Sequence, residues 1–211
     1  MTNVSTAAIQ VADTSGFPSS GWVLIESEII SYTTKTPTTF DGTITRGVLG
    51  TTNVAHTAGV AITEVQGTGS PTTIGKLTFN NTDYSNGIVV DGTDQTKLVF
   101  NVSGLYNIQF SAQLLNFTTS ADNVTIWNRV NGVDIPASAG ITEVSPKHGS
   151  APGTNLVSWN FFQDFVVGDY LQVAWTSDTG NTVIASYPAG VTPVHPLSPG
   201  VILTAQFVSA L

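Results

Sequence analysis

The side chains in this sequence that most often carry out chemistry in proteins are its three histidines, which could act as metal ligands or as a general base. They are His56, His148 and His195, and no two have the i, i+2 or i, i+4 spacing that places two imidazoles on one metal ion. We therefore predict no metal site and no cofactor. We interpret His56 as a packed, hydrogen-bonded loop residue.

Nucleophiles and paired carboxylates give no stronger indication of catalysis. Serine is common, but the sequence has no Gly-x-Ser-x-Gly motif. The turn Gly50-Thr51-Thr52 lacks the lysine of a phosphate-binding loop. The 14 acidic residues are spread along the chain without indicating the facing pair that a glycosidase needs. The sequence thus predicts a protein without enzymatic activity.

Two further motifs have ordinary explanations. Asp91 and Asp94, with Asp83 nearby, could offer oxygen ligands to calcium, but no twelve-residue calcium loop surrounds them and Asp-Gly is common turn chemistry. Calcium binding there stays an open alternative.

The glycosylation signal Asn-x-Ser/Thr occurs at Asn3, Asn80, Asn101, Asn116 and Asn123. A chain this rich in Asn, Ser and Thr produces that motif by chance, so we expect no glycans.

The composition limits both the elements and the partners. The chain has 211 residues, no cysteine and 9% charged residues, against about 25% in an average soluble domain. Abundant Thr, Val, Ser, Asn and Gly are typical of strands and tight turns. The net charge of −8 argues against nucleic acid and anionic membranes as partners. No apolar run approaches the roughly 18 residues of a membrane helix, and the first residues do not resemble a secretory leader.

The first part of the chain, residues 1–66, is predicted to form a small module of β-hairpins. Apolar residues on either side of Glu26-Ser27-Glu28 indicate two strands that meet at a turn, and Val60-Ala61-Ile62 is a last short strand. Residues 67–73 are predicted to be a flexible linker, because their Gly, Ser, Thr and Pro offer nothing to bury. A truncated chain starting near Thr72 is therefore expected to fold alone.

Residues 74–211 show evenly spaced strand patterns without a credible helix. Apolar and polar residues alternate from Tyr106 to Leu114, which is the period of a half-buried strand. Asn131-Gly132 between two apolar runs is a strong hairpin signal. Further strands are predicted over 159–165, 170–175 and 201–208. Roughly eight strands in this part predict an all-β sandwich or jelly roll.

The carboxy-terminal part resembles the trimeric jelly-roll domain of the complement-component and tumour-necrosis-factor superfamily, in the version found in phage virion proteins. The matching segments are 104–106, 124–135, 167–171 and 198–203. The amino-terminal part is similar to a small module of phage tail and virion proteins, through residues 16–21, 28–33, 46–52 and 55–59. The resemblance implies a small β module followed by a jelly roll that forms homotrimers.

The polar faces of three predicted strands lead to candidate interface residues. These faces carry neutral amides and no charge, as expected of a surface packed against a symmetry mate, and the resemblance implies that the corresponding strands line a three-fold axis. The candidates are Gln109, Ser111, Tyr170, Gln172, Ala174, Ile202, Thr204 and Gln206.

The sequence together with these resemblances predicts a virion protein, made in the host cytoplasm, that decorates a capsid as a trimer and stabilises the shell. Its partners would be its own copies and the major capsid protein or another virion protein. The alternative is a tail-fibre or baseplate component, or a receptor- or glycan-binding tip, for which Tyr187 is a candidate contact. Residues Met1 to Ser15 are expected to attach to the virion by strand addition. The alternative is that Val4 to Val11 form the first strand of their own module.

Overall fold

The computed structural model describes residues 6–191 and 193–211, and it confirms an all-β, sandwich-like fold of the jelly-roll type. Half of the chain is in strands, and the described residues include no helix. None of the described segments is therefore an apolar helix of membrane-spanning length. The strands in the first part of the chain are β1 (Ile9–Gln10), β2 (Gly21–Ile25), β3 (Glu28–Tyr32), β4 (Thr34–Thr36), β5 (Thr39–Asp41) and β6 (Ile62–Gly67).

The remaining strands supply most of the two large sheets. The middle of the chain contains β7 (Gly75–Lys76), β8 (Ile88–Val90), β9 (Leu98–Phe100), β10 (Gly104–Asn116), β11 (Asp122–Val130), β12 (Val133–Asp134) and β13 (Gly140–Val144). The last part contains β14 (Gly153–Phe165), β15 (Tyr170–Ser177), β16 (Thr182–Ala185), β17 (Gly190–Val191), β18 (Val194–His195) and β19 (Val201–Ser209).

Two antiparallel sheets pack face to face around the main core. Sheet 1 has the order β14-β10-β16-β6-β2-β3, and β19 lies beside β10 on the same side as β16. Sheet 2 has the order β12-β11-β15-β9-β8, with β13 paired to β11 and β7 paired to β15. A small sheet β1-β5-β4 and the hairpin β17-β18 complete the pairing. Inward side chains of both large sheets, among them Phe110, Leu114, Ile126 and Trp175, form one buried cluster.

The alternation predicted for β10 is confirmed by its burial. Tyr106, Ile108, Phe110 and Leu114 are buried, whereas Gln109 is exposed between them. The hairpin predicted at Asn131-Gly132 also forms, with Val130 opposite Val133. Both turn residues have positive φ, 53° and 79°, as a tight two-residue hairpin loop requires.

The first residues of the predicted flexible linker, residues 67–73, belong to sheet 1 and its core. Gly67 ends β6 and pairs with Val183 of β16, and Thr68 is buried. Sheet 1 therefore runs without interruption from the amino-terminal hairpin into the jelly roll. A buried cluster spans the same boundary and contains Leu24, Ile29, Val65, Leu115, Phe117, Val183 and Ala185. The predicted division between residues 1–66 and 74–211 thus separates parts that share one sheet and one core cluster.

The prediction of a free arm over residues 1–15 is wrong for the residues that the structure describes. Met1 to Ser5 lie outside them. Ile9 pairs with Phe40 of β5 and is buried in the cluster with Val23, and Thr14 is buried as well. Segment 9–14 is therefore part of its own module, as the alternative prediction had it, because the side chain of Ile9 fills that module's core.

Candidate interaction surface

The most extensive candidate site is the outer face of three neighbouring strands of sheet 1, which we call the amide face. β10 lies in the middle, with β14 along one side and β19 along most of the other. Since alternate residues point inward, the remaining ones form transverse rows across the three strands. The amide face consists of Asn107, Gln109, Ser111 and Gln113 on β10, Leu156, Ser158, Asn160 and Phe162 on β14, and Ile202, Thr204, Gln206 and Val208 on β19.

The register fixes which side chains meet on the amide face. Gln109 lies opposite Asn160 on one side and Thr204 on the other. Asn107 lies opposite Phe162, and its side-chain oxygen accepts a hydrogen bond of 2.8 Å from Asn160 Nδ2. Neutral amides and hydroxyls therefore occupy the centre of the face.

Exposed apolar side chains lie among these amides. Leu156 is 59% exposed, Phe162 58% and Ile202 53%. No charged side chain lies within the face, and Asp164, next on β14, lies at its end. A surface that is partly apolar and almost uncharged can be covered by a partner without desolvating ions.

Five of the eight predicted interface residues lie on this face: Gln109, Ser111, Ile202, Thr204 and Gln206. The prediction that all eight share one surface is wrong, because Tyr170, Gln172 and Ala174 belong to β15 in the opposite sheet. Gln172 is 1% exposed and Ala174 0%. The side-chain nitrogen of Gln172 donates to Thr96 Oγ1 at 2.7 Å, so the segment before β9 covers it.

Sequence reasoning missed the contribution of β14. That strand was predicted over 159–165, but its outward residues were not proposed for the interface. The adjacent pair Phe161-Phe162 indicated an exposed aromatic residue on this strand, because two neighbouring residues of a strand point to opposite faces. Phe161 packs against the core and Phe162 is exposed.

A second candidate site is a cleft of about 700 Å³ in which the loop 78–86 and strand β8 lie across from β6 and β19. Its lining includes Glu64, Phe79, Asn80, Tyr84, Leu197 and Leu203. Burial raises the pKa of the Glu64 carboxyl, although a hydrogen bond from Asn80 Nδ2 at 3.1 Å partly counteracts this. Two acids, Glu64 and Asp83, and no Lys, Arg or His are among its described lining residues.

His56 is a packed, hydrogen-bonded residue, as predicted. Its Nε2 lies 2.8 Å from Glu28 Oε2, and its Nδ1 lies 2.8 Å from Glu26 Oε2. Glu28 is fully buried and receives a two-point contact from Arg46, at 2.8 Å from Nε and 2.6 Å from Nη2. Burial alone would raise the pKa of Glu28, but the hydrogen bonds from Arg46, Val54 and His56 more than offset that effect and lower it. This arrangement joins the loop 46–56 to β3.

Asp122 organises a second buried polar cluster. Ser177 Oγ donates to its Oδ2 at 2.6 Å, and the Thr182 hydroxyl and the backbone N–H groups of Thr179 and Thr182 also donate to the carboxylate. Burial opposes ionisation, yet these donors lower the pKa of Asp122 below its ordinary value. The carboxylate thereby joins β11 to the turn between β15 and β16.

The other sequence candidates lie apart from these sites. His148 and His195 are exposed, and the described residues contain no group of three or more metal-binding side chains. Asp91 Oδ1 accepts hydrogen bonds from Thr93 and Asp94, which makes it a turn-forming residue. Tyr187 is partly buried against the cluster around Leu115.

Taken together, the fold and these surfaces define an antiparallel jelly-roll-like sandwich with a broad, nearly uncharged sheet face. No protein-family model matches the chain, and none of the curated proteins matches it.

Proposed function

We propose that this protein is a non-enzymatic structural protein of a phage virion that associates as a homotrimer through the amide face and decorates the capsid. The observation that carries the proposal is the amide face itself, which combines exposed Leu156, Phe162 and Ile202 with neutral amides. The resemblance of the sequence to trimeric phage jelly rolls agrees with this use of the face.

The outer edge of β14 adds to the argument for self-association. β14 has 13 residues and, within the described structure, pairs only with β10, although the side chain of Asn155 near its start donates to Thr142 Oγ1 and to the carbonyl of Glu143 on β13. A long unpaired edge beside exposed apolar residues favours contact with another chain unless something covers it. A closed three-fold arrangement would cover one such edge in every copy and leave no open-ended contact.

Decoration of a shell would suit that symmetry. A trimer presents three identical patches, which can contact three equivalent subunits of the major capsid protein or of another virion protein. Because such a trimer would bind the assembled shell and not its free subunits, binding would stabilise the shell by mass action. The protein would thus act in the virion by burying surface.

The absence of catalysis is part of the proposal. The buried carboxylates Glu28 and Asp122 have their oxygens occupied by donors from neighbouring strands and loops. Groups held in this way stabilise structure and have little freedom to exchange protons with a substrate.

The trimer is tested by sedimentation velocity at micromolar concentration. The native protein should sediment as a trimer. Gln109→Lys should dissociate it, because the substitution would place three like charges on the amide faces that the trimer buries. Gln95→Lys is the matched control, because Gln95 is exposed and lies in the segment between β8 and β9, away from the amide face. A native monomer, or a Gln109→Lys protein that stays trimeric, would contradict the proposed interface.

A tail-fibre component or receptor-binding tip is the second candidate, and the cleft favours it. Tyr84 at the cleft is 85% exposed, and an exposed aromatic ring among amides suits a sugar ring. Copy number separates the two functions. Quantitative mass spectrometry of purified particles should find hundreds of copies for a shell protein, whereas a few to a few dozen would favour the tail.

A further inference from the structure

The outer edge of β19 presents backbone groups without a strand partner. Gln113 N–H donates to the carbonyl of Gly200 at 2.8 Å, and this bond sets the alternation along β10 and β19. In an antiparallel pair the next residue along directs its N–H and C=O to the opposite side. The backbone groups of Val201, Leu203 and Ala205 therefore point away from β10, at intervals of about 6.8 Å. Among the described residues, β19 pairs only with β10.

The course of β6 explains why this edge stays open. β6 pairs with β16 through residues 65–67 and with β2 through residues 62–65. Residues 62–64 of β6 therefore have no partner in β16, and they do not pair with the start of β19 either. The cleft of about 700 Å³ lies beside this edge, and its lining includes residues 199–205. Strand β8, which pairs only with β9 among the described strands, also lines it.

The charge of the cleft selects the kind of side chain that could enter. Glu64 and Asp83 line it, whereas its described lining contains no cation. Asn80 donates one hydrogen bond to Glu64, and none of the described ion pairs includes this carboxylate. A partly buried carboxylate without a counter-charge gains from a cation placed beside it.

We propose that the cleft binds an extended peptide segment of a partner chain, which adds as a strand to the outer edge of β19 and places a lysine or arginine beside Glu64. The unpaired N–H and C=O groups have the repeat of a strand, which an extended backbone matches along its whole length. Apolar lining residues such as Leu197 and Leu203 would receive alternate side chains of the segment. The proposal does not depend on trimer formation, since it concerns the strand edge and not the amide face.

The binding test uses the full chain and a labelled, capped octapeptide, Thr-Val-Thr-Lys-Thr-Val-Thr-Val. Its matched control has norleucine in place of lysine. Fluorescence anisotropy at low salt should give a Kd about tenfold lower for the lysine peptide, and hydrogen exchange should slow at Val201, Leu203 and Ala205. Equal affinities, or edge amides that exchange at the same rate with saturating peptide, would overturn the proposal.

Two pairs of variants locate the binding. Ala205→Pro removes an N–H that faces the cleft and should weaken binding at least about tenfold, while Ala205→Ser keeps this N–H and should bind as the native protein does. Glu64→Gln should abolish the preference for lysine, and Glu143→Gln, an exposed substitution elsewhere, should preserve it. If Ala205→Pro does not fold, the Glu64 pair still decides.

Sedimentation of the same samples separates this proposal from the proposed trimer. Peptide binding by a monomer would support the cleft and contradict the trimer. Edge amides that are already protected in a trimer without peptide would show that self-association covers the edge, which would overturn the proposal.

Discussion

Gln172 and Thr96 are joined by a hydrogen bond of 2.7 Å from the side-chain amide nitrogen to the hydroxyl oxygen. The bond brings the segment before β9 over the outer side of β15. It also turns a residue with the pattern of a surface amide into a buried one, 1% exposed. The amide face on the opposite sheet has no such cover among the described residues, and this difference separates the two candidate surfaces.

Gln172→Lys is expected to destabilise the fold and not to act on association. The ammonium would replace a buried amide opposite Arg129 on β11, and burying an unpaired charge costs about 3 kcal/mol in the free energy of unfolding. Urea unfolding of the native protein and the variant, monitored by tryptophan fluorescence, measures this loss. Thr125→Ser, on the same outer side of sheet 2, is a mild control. A variant of native stability would show that Gln172 is accessible after all.

Glu28→Gln is expected to cost about 3–5 kcal/mol, because it leaves the buried Arg46 guanidinium without its carboxylate partner. The same pair predicts a pH dependence. The folded-state pKa of Glu28 lies below its ordinary value, so its contribution to stability is fully present above pH 4.5 and is lost as pH falls through the folded pKa. Asp122 acts in the same direction.

Thermal unfolding between pH 3 and pH 7 checks this prediction. The native melting temperature should fall below pH 4.5, and the difference between the native protein and Glu28→Gln should shrink there. A constant difference across this range would contradict a role for the ionised carboxylate.

Ile29→Ala is expected to lower the stability of the whole chain as one unit. Ile29 is fully buried in the cluster that also contains Leu115 and Val183 from the jelly roll, and a substitution of this kind costs about 2–5 kcal/mol. Calorimetry should show a single transition that moves to lower temperature. Ile141→Ala, at a residue that is 74% exposed, is the matched control and should leave the transition unchanged. Two transitions, of which only one moves, would restore the independent domains that the sequence predicted.

The sequence by itself determined the fold class and much of the local structure. The alternation from Tyr106 to Leu114 and the turn at Asn131-Gly132 depend on neighbouring residues, since a strand repeats every two residues and a tight hairpin needs positive φ at two positions. Composition also predicted strands without helices, as the described structure has them. The neutral character of the amide face could be predicted for β10 and β19, because the two-residue repeat of a strand identifies the residues on its outer side.

Only the tertiary structure decided which strands are neighbours and which polar faces are covered. Alternation shows that a strand has two faces, but Gln109 and Gln172 have the same pattern, and only the latter lies under a distant segment. The position of Gly67 in sheet 1 was not predicted for a similar reason, because Gly67 pairs with Val183 more than a hundred residues later in the chain. Pairing and cover of this kind depend on contacts between residues far apart in sequence, and a local pattern contains no information about them.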